Sequence, residues 1–404
     1  MIEKTMFKTD TNTPADEIRR RIQNLQNRMA EQEIDGALIL QNSDLFYFSG
    51  TIQQSHLYVP VDGSPLLLTR KSFERAQAES PIPDILPLKS PKQIASLLRQ
   101  QDLPTPATLG MELDVLPVNL FRMYAGLFDK AQIVDISPTI RELRAVKSAH
   151  EISLMRAAAH RSDQVAAYVA NVIRIGQTEL ELAGQVEAYA RKLGHQGIVR
   201  MRMWGGEMFY GHLLTGASGA VPSFLASPTG GQAASPAVAQ GAGFARLSPQ
   251  EPILVDYTFA YNGYISDHTR IFSLGPLPDE LMKAHDTMLA IQASVKQSAR
   301  PGMPAGDIYE MCVAQAADAG YADYFMGYGD QRIRFVGHGV GLELDEYPIL
   351  AKGQAMPLKA GMTIALEPKA IFPGKGVVGI ENTHIVTDQG LEQLGQYRDE
   401  VTIL

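Results

Sequence analysis

The spacing of apolar residues divides the chain into helices and strands before any chemistry is considered. In ADEIRRRIQNLQNRMAEQEID (15–35), Ile18, Ile22, Leu25 and Met29 recur at helical spacing among polar residues. That pattern predicts an amphipathic helix. GALIL (36–40) predicts a short buried strand, and NSDLFYFSG a loop and short helix. LYVP and PLLLT, split by VDGS, predict a hairpin. TLGME and AQIVDIS add strands, with helical patterns at 91–101 and 116–126. Strands alternating with helices predict a small α/β domain. Pro138 opens a short helix, and a long one carrying Ile152, Met155, Ala159 and Val165 runs from about Ser148. The domain boundary is therefore placed between 143 and 144.

The second domain, 144–404, has a different rhythm. Helices are predicted at 178–194, 278–299 and 304–319, with strands near 199–214. Residues 215–243 are rich in Gly, Ser and Pro, and such a long structureless connection points to a functional loop. Two hairpins complete the pattern. In EPILVDYTFAYNGYISDHTRIFSLG, Asn262-Gly263 predicts a type I′ turn, since both central residues need positive φ. Tyr261 then pairs with Tyr264, Thr258 lies opposite Asp267, and Asp256 lies opposite Thr269. Asp256 and Asp267 become diagonal neighbours on one face, roughly 7–8 Å apart at Cα. In GMTIALEPKAIFPGKGVVGIENTHIVTD, Met362–Ile371 and Val377–Val386 are the expected strands. Glu367 interrupts the first and Glu381 the second, at or beside opposite positions. RFVGHGVGLELDEYP sets His338 between two glycines.

Acids embedded in apolar strands are costly to bury unpaired. Four carboxylates and an imidazole make an oxygen-rich site suited to two divalent ions, manganese first, with cobalt, zinc or iron as alternatives. Two such ions roughly 3.5–4 Å apart can polarise a carbonyl and generate hydroxide near neutral pH. Composition narrows the remaining options. The 404 residues exceed one ordinary core, and 45% hydrophobic with 20% charged residues fits a globular protein. A net charge of -8 argues against a nucleic-acid surface. The lone Cys312 excludes an internal disulfide and a thiolate zinc site. The polar N-terminus lacks a signal-peptide core, and no apolar run has bilayer-spanning length, so a cytoplasmic protein without membrane partners is expected.

VDYxxxxNGYxxDxTR, then GHGVG, LEP and GIEN resemble the pita-bread metallopeptidases, which include Xaa-Pro aminopeptidases and Xaa-Pro dipeptidases (prolidases). The likeness is clear over 150–404, and the first domain is similar in pattern to that of creatinase-like two-domain members. It implies an α+β C-terminal domain with a curved antiparallel sheet. It implies Asp256 on one ion, Asp267 and Glu381 bridging, and His338 and Glu367 on the other, Glu367 also handling the proton of the bridging water. It further implies metal-hydroxide attack on the amide carbonyl of a short Xaa-Pro peptide, and a homodimer. Three positions depart from the pattern. Asp345-Glu346 replaces a His-Glu step, SPAVAQGAG lacks a histidine carried about 17 residues before the first aspartate, and Gly379 stands where many members have arginine. These losses favour, as an alternative, a metal-dependent amidase on non-proline dipeptides or a small amide metabolite. A non-catalytic scaffold of the same fold is a further alternative. His212, Asp345, Tyr347 and Arg334 are candidates to replace the missing substrate groups. His268 and His384 are read as structural, and Trp204 with the Met201–Met208 cluster as packing residues.

Overall fold

The computed structural model describes residues 12–203, 206–225 and 227–404, so Trp204 lies outside the described residues. The chain divides into two compact units, Met1–Arg144 and Ala145–Leu404. The first unit is built on a mixed sheet in the order β4-β3-β2-β1-β5-β6. Its strands are β1 (Gly36–Ile39), β2 (Ser55–Pro60), β3 (Leu66–Thr69), β4 (Asp84–Pro87), β5 (Thr108–Met111) and β6 (Gln132–Asp135). The helix Ala15–Glu31 buries Ile18, Ile22, Leu25 and Met29, the face its periodicity marks. β2 and β3 form the expected hairpin, with Tyr58 opposite Leu66. The helix Phe73–Glu79 and β4 have no counterpart in the sequence reading. β4 is an edge strand with exposed ends and no alternation of buried and exposed positions.

The second unit is a curled antiparallel half-barrel. Its main path is β13-β12-β14-β17-β11-β8-β7, with β18 and β19 on the side. These strands are β7 (Gly211–Thr215), β8 (Ile253–Tyr257), β11 (His268–Ser273), β12 (Phe335–Gly339), β13 (Glu346–Ala351), β14 (Thr363–Leu366), β17 (Glu381–Thr387), β18 (Gly390–Gln393) and β19 (Thr402–Ile403). The short pairs β9 (Phe259–Tyr261) with β10 (Tyr264–Ser266), and β15 (Lys369–Phe372) with β16 (Gly376–Gly379), extend two of its hairpins. Helices Ala149–Val172 and Glu179–Lys192 begin with capping boxes at Ser148/Glu151 and Thr178/Glu181. They pack on Leu213, Val255 and Phe272. Met288, Ile291 and Val295 of helix Asp279–Ser298 pack with Ile364, Leu366 and Val386. One face of the sheet is thereby covered by helices, and the other is free to carry polar side chains.

Two expectations are corrected here. Of the strands predicted over 199–214, only Gly211–Thr215 forms one among the described residues, and Met201 makes an isolated bridge to Leu344. The second hairpin is not two long strands but four short ones. Pro368 has no N–H to give to the ladder and splits the first strand just after Glu367. The register survives the break. Leu366 faces Asn382 on one side and Lys369 faces Gly379 on the other, so Glu367 falls directly opposite Glu381 without a bulge.

Candidate metal centre

The register places the expected ligands on two adjacent rungs of one face. Tyr261 pairs with Tyr264 and Thr269 with Asp256, as the Asn262-Gly263 turn demands. Thr269 also faces Glu381, and Asp256 faces His212. Glu367, Glu381, Thr269, Asp256 and His212 thus cross five neighbouring strands in line. Directly opposed residues in antiparallel strands share a face. Asp267 sits two positions before Thr269, and His338 faces Ala365, which in turn faces Thr383. All are therefore on the face that the helices leave bare. They line one cleft with Gln240, Leu225, Phe335, Met201, Met203 and Met208.

Three of them form a compact set. Asp267, His338 and Glu381 each offer a ligand atom within 4.8 Å of the others, and all three are buried. His338 donates from Nδ1 to the carbonyl of Gly339 at 3.1 Å, which leaves Nε2 facing the acids. Nε2 lies 3.8 Å from Asp267 Oδ2 and 3.8 Å from Glu367 Oε1. Those gaps exceed a hydrogen bond, but atoms sharing one ion at about 2.1 Å stand roughly 3–4 Å apart. Asp267 Oδ1 is fixed by Thr258 Oγ1 and by the His268 N–H, and Glu381 Oε2 by Thr269 Oγ1. Burial, then the neighbouring Asp256 charge, pushes the Asp267 carboxyl up to about 7. Burial and Asp267 hold Glu381 well above the usual carboxylate range. Burial opposes a charge on His338, but Asp345, Glu367 and Asp267 lift its pKa above the ordinary value. Carboxyls that hold protons in a dry pocket are asking for a cation.

The other two expected ligands are engaged differently. Lys369 is buried and its Nζ lies 3.1 Å from Asp256 Oδ2, 2.8 Å from Glu367 Oε2 and 2.8 Å from Glu381 Oε2. Burial alone would lower its pKa, but those three carboxylates outweigh it and hold the ammonium charged. A divalent ion therefore fits the set of Asp267, His338 and Glu381. Around Asp256 the position is filled by an amine. The sequence reading assigns Lys369 no role, although a signal was present: IALEPKAIF places a lysine in an apolar strand two residues from Glu367, hence on its face.

The remaining candidates separate cleanly. His212 is buried in the cleft, and its Nε2 donates to Gln240 Oε1 at 3.1 Å. Burial lowers its pKa, so it is a neutral imidazole. Gln240 comes from the SPAVAQGAG segment that lacks the expected histidine, so the 215–243 stretch does reach the site. Asp345, with φ of 59°, turns Oδ1 to within 3.6 Å of His338 Nδ1 at the cleft mouth. Glu346 points elsewhere, to Lys147 Nζ at 2.9 Å and the N–H groups of Leu342 and Glu343. Arg334, a candidate to replace a missing substrate group, is exposed, precedes β12 and is not part of the cleft wall, which Phe335 lines instead. Tyr347 packs against the main apolar cluster. His268 and His384 are buried on the opposite face, and burial holds their pKa values far below the ordinary range, about 3 for His384. An apolar cavity of about 370 Å³, lined by Leu180, Phe209, Phe224 and Val238, opens beside the cleft.

Acids and an imidazole aligned on the bare face of a half-barrel form the donor set of a divalent-metal site. Residues 153–388 match the model of Metallopeptidase family M24, and residues 21–146 that of the Creatinase/Prolidase N-terminal domain. The chain belongs to metallopeptidase family M24, as a two-domain peptidase of pita-bread fold. A relative, the Xaa-Pro dipeptidase of Pyrococcus furiosus, is 28% identical over 390 residues, 95% of this chain and all of its own length. The solved prolidase from Pyrococcus furiosus is 26% identical, with a TM-score of 0.75 over 92% of this chain and 99% of that one. The Xaa-Pro dipeptidase from Bacillus anthracis shares the fold at 24% identity, with a TM-score of 0.81 over 96% and 100% of the two chains.

Proposed function

We propose that this protein is a metal-dependent peptidase that hydrolyses the bond before proline in short peptides, dipeptides first. The carrying observation is the single sheet face on which Asp256, Asp267, His338, Glu367 and Glu381, from two adjacent rungs, converge in one cleft. The full-length likeness to an Xaa-Pro dipeptidase supports the substrate class. Asp267, His338 and Glu381 hold the ion, with manganese the first choice and cobalt, zinc or iron accepted by the same donors. A divalent ion there supplies Lewis acidity and makes a water more acidic near neutral pH. Glu367 keeps Oε1 turned to the ligand set while Lys369 anchors its Oε2, and that free oxygen takes the proton released in the attack. His212 gives its Nε2–H to the substrate carbonyl oxygen in exchange for Gln240 Oε1, which accepts it in the free protein. Asp345 gives the cleft mouth a negative charge that suits a free α-ammonium. The reading also takes the protein as a cytoplasmic homodimer.

Asp345 favours a second reading. It stands where the resemblance expects a histidine, and a carboxylate cannot donate to a developing oxyanion. A non-proline dipeptide or small amide metabolite is then the substrate. A panel of Xaa-Pro dipeptides, Xaa-Pro-Xaa tripeptides and plain dipeptides, each with added Mn²⁺, Co²⁺ or Zn²⁺, separates the readings. Cleavage of Xaa-Pro dipeptides, lost in Glu367→Ala, is the expected result. Cleavage of plain dipeptides alone selects the second reading, and no cleavage of any amide overturns both.

A further inference from the structure

Lys369 is the buried group whose position the ligand set does not explain. Its ammonium contacts one oxygen from each of Asp256, Glu367 and Glu381, all within 3.1 Å. Those distances are charge-assisted hydrogen bonds, and a fully buried lysine needs them. The neighbouring strand makes room for it. Lys369 pairs with Gly379, and a Cβ on Gly379 would lie 3.0 Å from the Lys369 Cγ and 2.7 Å from its Cα. Gly379 is also the position where the resemblance expects an arginine. Lys369 thus reaches inward to the ligands from the strand that faces Gly379.

The second observation concerns the acids themselves. Among the described residues, the set whose ligand atoms lie within 4.8 Å of one another is Asp267, His338 and Glu381, and Asp256 is not in it. We propose that the Lys369 ammonium takes the place of the second cation, so that the centre holds a single divalent ion on Asp267, His338 and Glu381, and Asp256 is the lysine's partner instead of a metal ligand. A second ion beside Asp256 would have to bring its charge next to the ammonium in a dry pocket, where like charges repel strongly. The lysine fixes the charge on that side permanently, without depending on metal supply. It also holds Glu367 through Oε2 in one orientation, as a positioning residue.

This inference rests on the metal-dependent reading above, but its test counts ions and does not use activity. The full chain is stripped with chelator, loaded with excess Mn²⁺, desalted, and measured by elemental analysis and electron paramagnetic resonance. The expected result is one equivalent of manganese with the six-line signal of an isolated ion. Lys369→Ala, checked for folding by circular dichroism, should gain a second equivalent and the broadened spectrum of a coupled pair. Two equivalents in the unaltered protein overturn the proposal, and so does a protein that takes up no ion. If Lys369→Ala folds and still binds one ion, the lysine is not what excludes the second. Should the variant fail to fold, the count and spectrum of the unaltered protein decide the matter alone. Two ions with Xaa-Pro cleavage would sink this inference and leave the peptidase reading standing. One ion without amide cleavage would do the reverse.

Discussion

Each unit of this protein buries a cluster of charges, and the two clusters are built on opposite plans. In the first unit, Arg144 meets Asp44 at 2.6 Å with both side chains almost fully buried. Arg21 meets Glu17 at 3.1 Å, donates to the Tyr47 carbonyl at 2.9 Å and lies over the Tyr47 ring. Glu17 also takes Arg20 Nη2 at 2.6 Å, so in this cluster the cations match or outnumber the acids they meet. In the second unit, Asp256, Asp267, Glu367 and Glu381 share one buried ammonium and one imidazole. Balanced pairs close on themselves and hold a fold together. A surplus of carboxylates on a bare sheet face remains open to a ligand, and that imbalance identifies the functional cluster without reference to any relative.

The contrast is broken most severely by removing a member of the surplus. Glu381→Ala takes away an atom of the compact ligand set and a partner of Lys369. Peptide hydrolysis should fall by about ten-thousandfold, roughly 5 kcal/mol in kcat/KM. Its thermal stability should change less, because Lys369 keeps Asp256 and Glu367 as partners when the Glu381 carboxyl is removed. Steady-state kinetics beside a melting curve tests both halves. A variant that melts early but keeps its kcat would reverse the argument.

The closed cluster should respond in the opposite sense. Arg144→Met removes the guanidinium that meets the buried Asp44 carboxylate at 2.6 Å, and breaking such a pair costs about 3 kcal/mol. Urea unfolding should show that loss, while kcat per folded molecule stays unchanged. A drop in kcat without loss of stability would mean that the first cluster also serves the reaction.

The first unit also carries a buried imidazole. His56 Nε2 lies 2.6 Å from the Tyr124 hydroxyl, and burial followed by Arg70 pulls its pKa down to about 4. Its folded pKa is below the unfolded value of 6.5, so the unfolded chain binds the extra proton first. Its contribution to stability is complete above pH 6.5 and is lost as pH falls from there toward 4. The full loss is roughly 3 kcal/mol. His56→Gln should flatten the stability profile between pH 6.5 and 4.5 in urea titrations. An unchanged slope would remove His56 from the acid response.

The sequence carried this far because periodicity and turn chemistry are local. The Asn262-Gly263 turn fixes the register of its hairpin, and that register puts Asp256 beside Thr269 and Asp267 two positions along. Helix starts at Ser148 and Thr178 are written in their capping boxes. What could not be read depends on contacts between distant segments. Two of the three partners of Lys369, Asp256 and Glu381, come from other strands of the sheet. Gln240 reaches His212 from an irregular stretch that no period describes. The break at Pro368 was a local signal, and it hides the alignment of Glu367 with Glu381 only until the pairs on both sides are seen to share one register.

The smallest expected effect sharpens the comparison by titration. Without an ion, the surplus cluster lowers its charge by taking protons, as the Asp267 value of about 7 shows. An ion must displace a proton held there, whereas the paired acids of the first unit take no part in the exchange. Because a raised pKa keeps the proton bound at lower pH, ion affinity should weaken below pH 7. The expected decline is about tenfold per pH unit for each proton displaced, and it should level off above pH 7 to 8. Calorimetric titration of Mn²⁺ into the stripped protein, in buffers of different ionisation enthalpy, counts the protons released. A binding constant that stays flat from pH 5.5 to 8 would show that the acids are already ionised in the metal-free state. The surplus of buried negative charge would then be stabilised by the fold alone, and the distinction between an open and a closed cluster would disappear.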